Sequence, residues 1–185
     1  DCIVIGLGHA GCEAAYAASK LALKTMGINL DIDFPARMSC NPAMGGPAKS
    51  HLLKEIDALG GISARITDRS AIQIRTLNRG KGMSAWCLRA QCDRDLYSVK
   101  MYQELTSNEN LHLVQSEVVD LLIDDNRAVG VKIRGNCEIY GEKIILTAGT
   151  FLKGMIYVGN ETKESGRMGD PASNMLGESL RKSGL

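Results

Sequence analysis

The stretch from Cys2 to Ala15 reads CIVIGLGHAGCEAA. Cys2-Ile3-Val4-Ile5 is a short apolar run, which predicts a buried strand. Gly6, Gly8 and Gly11 follow at G-x-G-x-x-G spacing, and an Ala-rich stretch from Cys12 to Ala22 favours helix. Glycines alone would allow a turn that binds nothing. A strand before them and a helix after them make the pattern a dinucleotide fingerprint. Gly6 serves the tight turn, Gly8 lets a pyrophosphate approach the backbone, and Gly11 lets helix and strand pack closely. The phosphates then meet N–H groups at the positive end of a helix. Gly6, Leu7, Gly8, His9, Ala10 and Gly11 are therefore the candidate cofactor-binding residues. His9, between glycines, is read as a backbone contact rather than a base.

Outward from this loop, Lys24 to Leu30 predicts a second strand and Asp31 to Gly46 a loop. Pro47 suits the first turn of a helix whose apolar spacing is Leu52, Leu53, Ile56 and Leu59, stopped by Gly60-Gly61. Ala71 to Arg75 alternates like a strand, and Asp93 to Leu105 reads as an amphipathic helix. The period then changes to two. His112 to Gln115, Val118 to Ile123, Ala128 to Ile133 and Glu138 to Tyr140 read as strands, with a turn at Asp124 to Arg127. Ile144-Ile145-Leu146 is a further buried strand, ending at Thr147 to Thr150. Asp170 is placed to cap a last helix, with Pro171 at its first position and Gly184 at its end. The expected fold is α/β: a Rossmann-like, glutathione-reductase-like FAD-binding domain with an inserted antiparallel β-meander. That meander favours FAD over NAD. The acidic residue expected about 20 positions after the glycines, to hold ribose hydroxyls, is missing. Asn29 and Asp31 lie nearest, and the ribose contact stays unassigned.

The chain has 185 residues, 44% of them apolar, and Lys+Arg 22 against Asp+Glu 21. A net charge of +1 excludes a global basic field, so any nucleic-acid contact must be a local patch. The six cysteines form no C-x-x-C pair, and the three histidines are scattered, so no metal site is expected. Unpaired cysteines fit a reducing compartment. No signal peptide and no membrane span is expected. A start inside an apolar strand and an end directly after a helix read as a fragment.

GLGHAGCEAA, MSCNPAMGG, HLLKEIDALGG, LNRGKG, LRAQCDRDLY and TAGTFLKG occur in that order. Together they closely resemble the MnmG (GidA) family of FAD-dependent enzymes, which modify the wobble uridine of certain tRNAs at ring carbon 5. The product is an aminomethyl or carboxymethylaminomethyl group. The resemblance runs over nearly all of the chain. It implies that residues 1–185 are the N-terminal part of the FAD domain. By the same resemblance, later FAD-domain segments, an inserted nicotinamide-type domain and a helical C-terminal domain are expected to lie outside residues 1–185. It implies that residues 6–11 bind the FAD pyrophosphate, that Val118 meets the adenine end, and that Ser173 is another flavin contact. It implies catalysis by Cys40, with methylene-tetrahydrofolate as one-carbon donor. It further implies tRNA and an MnmE-type GTPase as partners, a homodimer, and a cytoplasmic setting with the mitochondrion also open. Two stretches depart from the family. Residues 45–50 read GGPAKS where members usually read GGIGKG, and residues 80–85 read GKGMSA where members usually carry SKGPA.

Cys40 lies in a turn-rich loop ahead of the helix expected at Pro47, with Arg37 and Lys49 near in sequence. A thiolate is a nucleophile when exposed and stabilised as the anion. By adding to carbon 6 of a uridine it makes carbon 5 nucleophilic. On residue type alone a buried structural cysteine is the favoured reading, since free cysteines are commonly buried. Arg75, Arg79, Lys81, Arg89 and Arg94 suit either tRNA phosphates or a solvated surface paired with Asp93 and Asp95. Trp86 is read as core in preference to a base-stacking platform. His51 and His112 are read as packed or exposed, not catalytic. Two other functions compete: a folate-dependent tRNA uridine methyltransferase, against which SCNPAMGG and LRAQCDRD argue, and an FAD-binding module without turnover.

Overall fold

The structure, a computed structural model, describes residues 1–184. Four short strands, β1 (Cys2–Ile5), β2 (Thr25–Asn29), β6 (Leu111–Gln115) and β10 (Lys143–Leu146), form one parallel sheet in the order β10-β1-β2-β6. Parallel neighbours require crossovers. Helix α1 (His9–Lys20) makes the first, from β1 to β2. The chain returns on the other side of β1 only at β10, so a topological switch point lies at the C-terminal ends of β1 and β10.

Side chains along a strand alternate between faces, and β1 shows it. Cys2 and Val4 join Cys12, Ala15 and Tyr16 of α1, Ile62 and Ile66 of α3 (Ser63–Ser70) and its flank, and Tyr97, Met101 and Leu105 of α4 (Arg94–Thr106). Ile3 and Ile5 join Ile28, Val118, Val131, Leu176 and Leu180 on the opposite face. That second core is closed by the expected meander, β7 (Val118–Asp124), β8 (Arg127–Ile133) and β9 (Cys137–Tyr140), together with α5 (Asn174–Lys182).

A second antiparallel sheet, of which the sequence predicts only the strand at Ala71 to Arg75, has the order β3-β5-β4, from Ala43–Gly45, Cys87–Cys92 and Ala71–Leu77 respectively. A hairpin, β11 (Met155–Val158) and β12 (Glu161–Glu164), was likewise not anticipated. Its strands are almost wholly exposed, so no apolar alternation marks them.

Other boundaries moved for physical reasons. Helix α1 starts at His9, not Cys12, because Gly8 already serves as its N-cap residue. Helix α2 (Lys49–Ala58) does not begin at Pro47. Pairing with β5 runs on through Gly46, whose N–H donates to the Leu88 carbonyl at 2.7 Å. Ala48 then turns the chain at φ +62° and ψ −45°, with Lys49 N–H donating to the Pro47 carbonyl at 2.8 Å. This is a γ-turn of the rarer, strained hand. The apolar spacing of α2 forms a helix but little core: Leu52, Ile56 and Leu59 are exposed. Asp170 does not cap α5; Ser173 occupies the N-cap position, without a side-chain bond. Residues 165–173 are instead tied down by Ser165, whose hydroxyl sits within hydrogen-bond reach of the carbonyls of both Arg167 and Asp170 and shares its one proton between them.

Candidate functional site

The glycine loop is fixed almost atom by atom. Gly6 N–H donates to the Ile28 carbonyl at 2.8 Å, and Leu7 N–H to the Asn29 side-chain oxygen at 2.9 Å. The Thr147 hydroxyl, just beyond β10, lies 2.9 Å and 2.8 Å from the carbonyls of Ile5 and Gly6. Gly6 has φ +88°, in the region that favours glycine. A Cβ on Gly11 would fall 1.8 Å from the Gly6 carbonyl oxygen, so only glycine lets α1 approach this loop. Gly8 behaves differently: a Cβ there would meet no protein atom within 4 Å. The backbone N–H groups that open α1, at His9, Ala10 and Gly11, have no intrahelical acceptor.

Beside the loop, at the carboxyl ends of β1, β2 and β10, lies a cavity of about 390 Å³. Gly6, Leu7 and Gly8 form one wall, and Val118 and Ser173 are also in the lining. Those two are 117 and 172 positions from the chain start in sequence terms, yet both are buried against the same space. Ile5, Ile28, Phe34, Phe151 and Leu176 supply apolar surface; Asp31, Arg37, Glu117 and Arg167 supply charge. The volume and the mixed lining suit an elongated organic ligand with an anionic part. Asn29, weighed for ribose, spends its side chain on the Leu7 N–H and the Asp31 carbonyl. Thr147 and Arg167 were not singled out in the sequence. Thr147 had one legible sign, its place directly after a buried strand; Arg167 had none.

His9 stands at the first position of α1 with its ring edge against Tyr97, centroids 5.6 Å apart. Its Nδ1 and the Tyr97 hydroxyl are buried without hydrogen-bond partners. Burial, with help from the Arg167 charge, pulls the His9 pKa below its ordinary value, and Glu13 opposes this. Burial also pushes the thiol of Cys12 and the phenol of Tyr97 upward.

Cys40 is outside the cavity wall, exposed and free, on the segment that leads from the cavity to β3. That segment is anchored on both sides of the thiol. Ala36 N–H donates to the Leu7 carbonyl at 2.8 Å. The Arg167 guanidinium donates to the carbonyls of Arg37, at 3.0 Å, and Met38. Beyond the thiol, Arg89 donates to the Asn41 side-chain oxygen at 3.1 Å, and Cys92 N–H to the Pro42 carbonyl at 2.8 Å.

The basic residues do not converge into one site. Arg94 pairs with Asp95, Arg89 holds Asn41, and Arg75, Arg79 and Lys81 are exposed. Asp93 caps α4, accepting from the N–H groups of Asp95 and Leu96. Trp86 is not core: it is 42% exposed, its indole N–H donating to the Arg79 carbonyl. It stands directly before β5, and its sequence neighbours Met83 and Leu88 are exposed as well. His51 and His112 are exposed. Among the described residues no group of three or more His, Cys, Asp or Glu is placed to hold a metal ion, and no helix is long and apolar enough to cross a membrane.

The tRNA uridine 5-carboxymethylaminomethyl modification enzyme MnmG of Thermodesulfovibrio yellowstonii is 48% identical over the whole of this chain, which spans 30% of that protein. The enzyme of the same name from Bacteroides fragilis is 47% identical, with the same shares covered. The solved structure of Aquifex aeolicus GidA matches with a TM-score of 0.94 at 42% identity, over 98% of this chain and 30% of the other. The chain thus spans about a third of the length of these relatives, and its parallel sheet with inserted antiparallel sheets is their fold. The model of the glucose inhibited division protein A family matches residues 1–185 from end to end, and the chain belongs to that family.

Proposed function

We propose that the chain is the cofactor-binding part of an FAD-dependent enzyme that modifies the wobble uridine of tRNA at carbon 5. The observation that carries this reading is one cavity lined by Gly6, Leu7 and Gly8 of the glycine loop together with Val118 and Ser173. The residues fit the cofactor. Gly8 would let a pyrophosphate reach the backbone, because a Cβ is the only thing its position lacks and no protein atom fills that space. The N–H groups at the start of α1 would receive the phosphate oxygens. Val118 would line the adenine end, and Ser173, at the start of α5, the other side of the cofactor. FAD, when bound, supplies two-electron redox chemistry to the one-carbon unit carried by methylene-tetrahydrofolate.

The chemistry assigned to this chain rests on Cys40. Its thiolate adds to carbon 6 of the uridine, and the electrons of the ring double bond move to carbon 5. Carbon 5 then bonds to the methylene carbon of the folate as one of that carbon's two C–N bonds breaks, the electron pair passing to the nitrogen, which takes up a proton. Loss of the carbon 5 proton and expulsion of the thiolate restore the double bond. The exposure of Cys40 supports this role, since a buried thiol could not meet a tRNA base. An MnmE-type GTPase is the proposed partner and a homodimer the proposed assembly, in the cytoplasm or the mitochondrion.

The test is Cys40→Ser in the complete protein with its GTPase. Serine changes little volume and is a far weaker acid. Flavin content and melting temperature should stay at wild type, while the modified nucleoside in tRNA falls about a hundredfold or more. Wild-type turnover would remove the catalytic role. Loss of flavin and fold together would make Cys40 structural.

A further inference from the structure

Arg167 belongs to two places at once. It lines the cavity, and its guanidinium donates to the main-chain carbonyls of Arg37 and Met38, two and three positions before Cys40. The segment that carries Arg167 is itself fastened to the cavity rim. Ser165 bonds the carbonyls of Arg167 and Asp170, Thr150 bonds the Gly166 carbonyl at 3.0 Å, and Ser173 N–H donates to the Phe151 carbonyl at 2.8 Å. Thr150, Phe151, Asp170 and Ser173 all line the cavity. Main-chain carbonyls are the targets, so the clamp sets the path of the backbone, whatever side chains stand at 37 and 38. A planar guanidinium can hold two carbonyls at once; an ammonium is a point donor. The neighbouring Ala36 and Met38 are buried, whereas Ser39, Cys40 and Asn41 are exposed. The clamp therefore grips the last buried turn before the thiol emerges.

We infer that Arg167 is a positioning residue: it fastens the Cys40 segment to the rim of the cofactor cavity, so that filling the cavity and placing the thiol are one event. The inference rests on the functional reading above for its consequence in catalysis, but the clamp can be tested without it. Arg89 offers the comparison. It holds Asn41 on the far side of Cys40 and is not part of the cavity lining. Releasing Arg89 should loosen the thiol without regard to cofactor. Releasing Arg167 should break the dependence itself.

The experiment uses the full-length protein and its Arg167→Gln, Arg167→Lys and Arg89→Gln variants. Amide hydrogen exchange is followed in peptides covering residues 34–42, first without flavin. Arg167→Gln should exchange about tenfold faster than wild type, and Arg167→Lys, which keeps the charge and one donor, should fall between. Exchange of Arg167→Gln within twofold of wild type overturns the clamp. FAD is then added, its binding read separately by absorbance. Wild type and Arg89→Gln should both slow on binding, whereas Arg167→Gln should not. An equal slowing in Arg167→Gln overturns the coupling. In turnover, Arg167→Lys should lower kcat with the KM for tRNA unchanged; a change confined to KM overturns the positioning role. Failure of wild type to bind FAD removes the functional reading and, with it, the coupling, while the flavin-free exchange still decides the clamp. Should Arg167→Gln not fold, by circular dichroism, the Lys variant carries the same comparisons.

Discussion

The glycine loop and the Cys40 segment lie side by side, joined by the bond from Ala36 N–H to the Leu7 carbonyl, but they are built by different means. The glycine loop is shaped by what its own residues lack. Gly11 has no Cβ to strike Gly6, and Gly6 can take a left-handed turn. The Cys40 segment is shaped by what distant residues bring. Arg167 reaches Arg37 across 130 positions, and Arg89 reaches Asn41 across 48. Helix α3, a neighbour of that region, is held similarly: Glu13 of α1 accepts from the N–H groups of Ile62 and Ser63, which open it. A local constraint leaves a spaced pattern of residue types. A remote side chain leaves none.

The sharpest break of this comparison comes from within the glycine loop. Gly11→Ala places a methyl 1.8 Å from a backbone oxygen that cannot swing aside, with the Thr147 hydroxyl at 2.8 Å. Forced separation of α1 from β1 should cost about 3–5 kcal/mol, a large part of a domain's net stability. Urea unfolding measures it; a loss under 1 kcal/mol would mean that the close approach is not what positions the helix. Gly8→Val should do the reverse. No protein atom is near, so melting should shift little, while the full-length protein loses its flavin absorbance. Normal flavin content in Gly8→Val would sink the pyrophosphate assignment and leave the fold argument untouched.

This contrast also explains how far the sequence could be read. The parallel sheet, the meander and the glycine loop follow from runs such as Cys2–Ile5 and from period-two alternation after Leu111, because their partners are alike and their constraints local. Within residues 43–92 the sequence shows α2 and β4, but not β3, α3 or β5. Strand β5 carries Leu88 and Arg89 beside the buried Cys87 and Ala90, so its burial pattern gives no clean alternation. Helix α3 has only eight residues and borrows its N-terminal acceptor from α1. Trp86 reads as core by type but is exposed just ahead of β5, whose Ala90 and Cys92 are what face the core. Of the residues named from pattern and resemblance, Gly6, Leu7, Gly8, Val118 and Ser173 line the cavity, whereas His9, Ala10 and Gly11 lie outside its lining. Arg167 could not be named, because its partners are carbonyl groups, which every residue has.

The Cys40 side of the comparison can be tested more gently at Ala48. Here the family pattern carries glycine, whereas this chain has alanine at φ +62° and ψ −45°. An L side chain is strained in that region, and the γ-turn at Pro47–Lys49 keeps it there. Ala48→Gly removes the Cβ penalty but adds freedom to the unfolded chain. The native strain is the larger of the two, so the variant should gain about 1 kcal/mol in urea unfolding. A loss of stability would show that the turn relaxes around alanine at no cost.

The smallest effect belongs to His9, where the two regions meet, and it is read through pH. The half-buried ring packs edge-on against Tyr97, and desolvation, followed by the Arg167 charge, lowers its pKa, while Glu13 raises it. A folded-state pKa below the unfolded value of about 6.5 means that the unfolded chain binds the extra proton first. Stability is therefore intact above pH 6.5 and declines as pH falls from there towards the folded-state value. For one proton the slope cannot exceed about 1.4 kcal/mol per pH unit. Carboxylates titrate in the same range, so the measurement is a difference: wild type minus His9→Gln, unfolded in urea at half-unit steps from pH 8 to 5. The difference should move against wild type below pH 6.5. An anion bound at the start of α1 would favour the imidazolium, so FAD should flatten the decline in the full-length protein. A difference that is level from pH 8 to 5 would mean that His9 reaches solvent on opening of the loop, and that the junction between glycine loop and Arg167 is looser than its geometry.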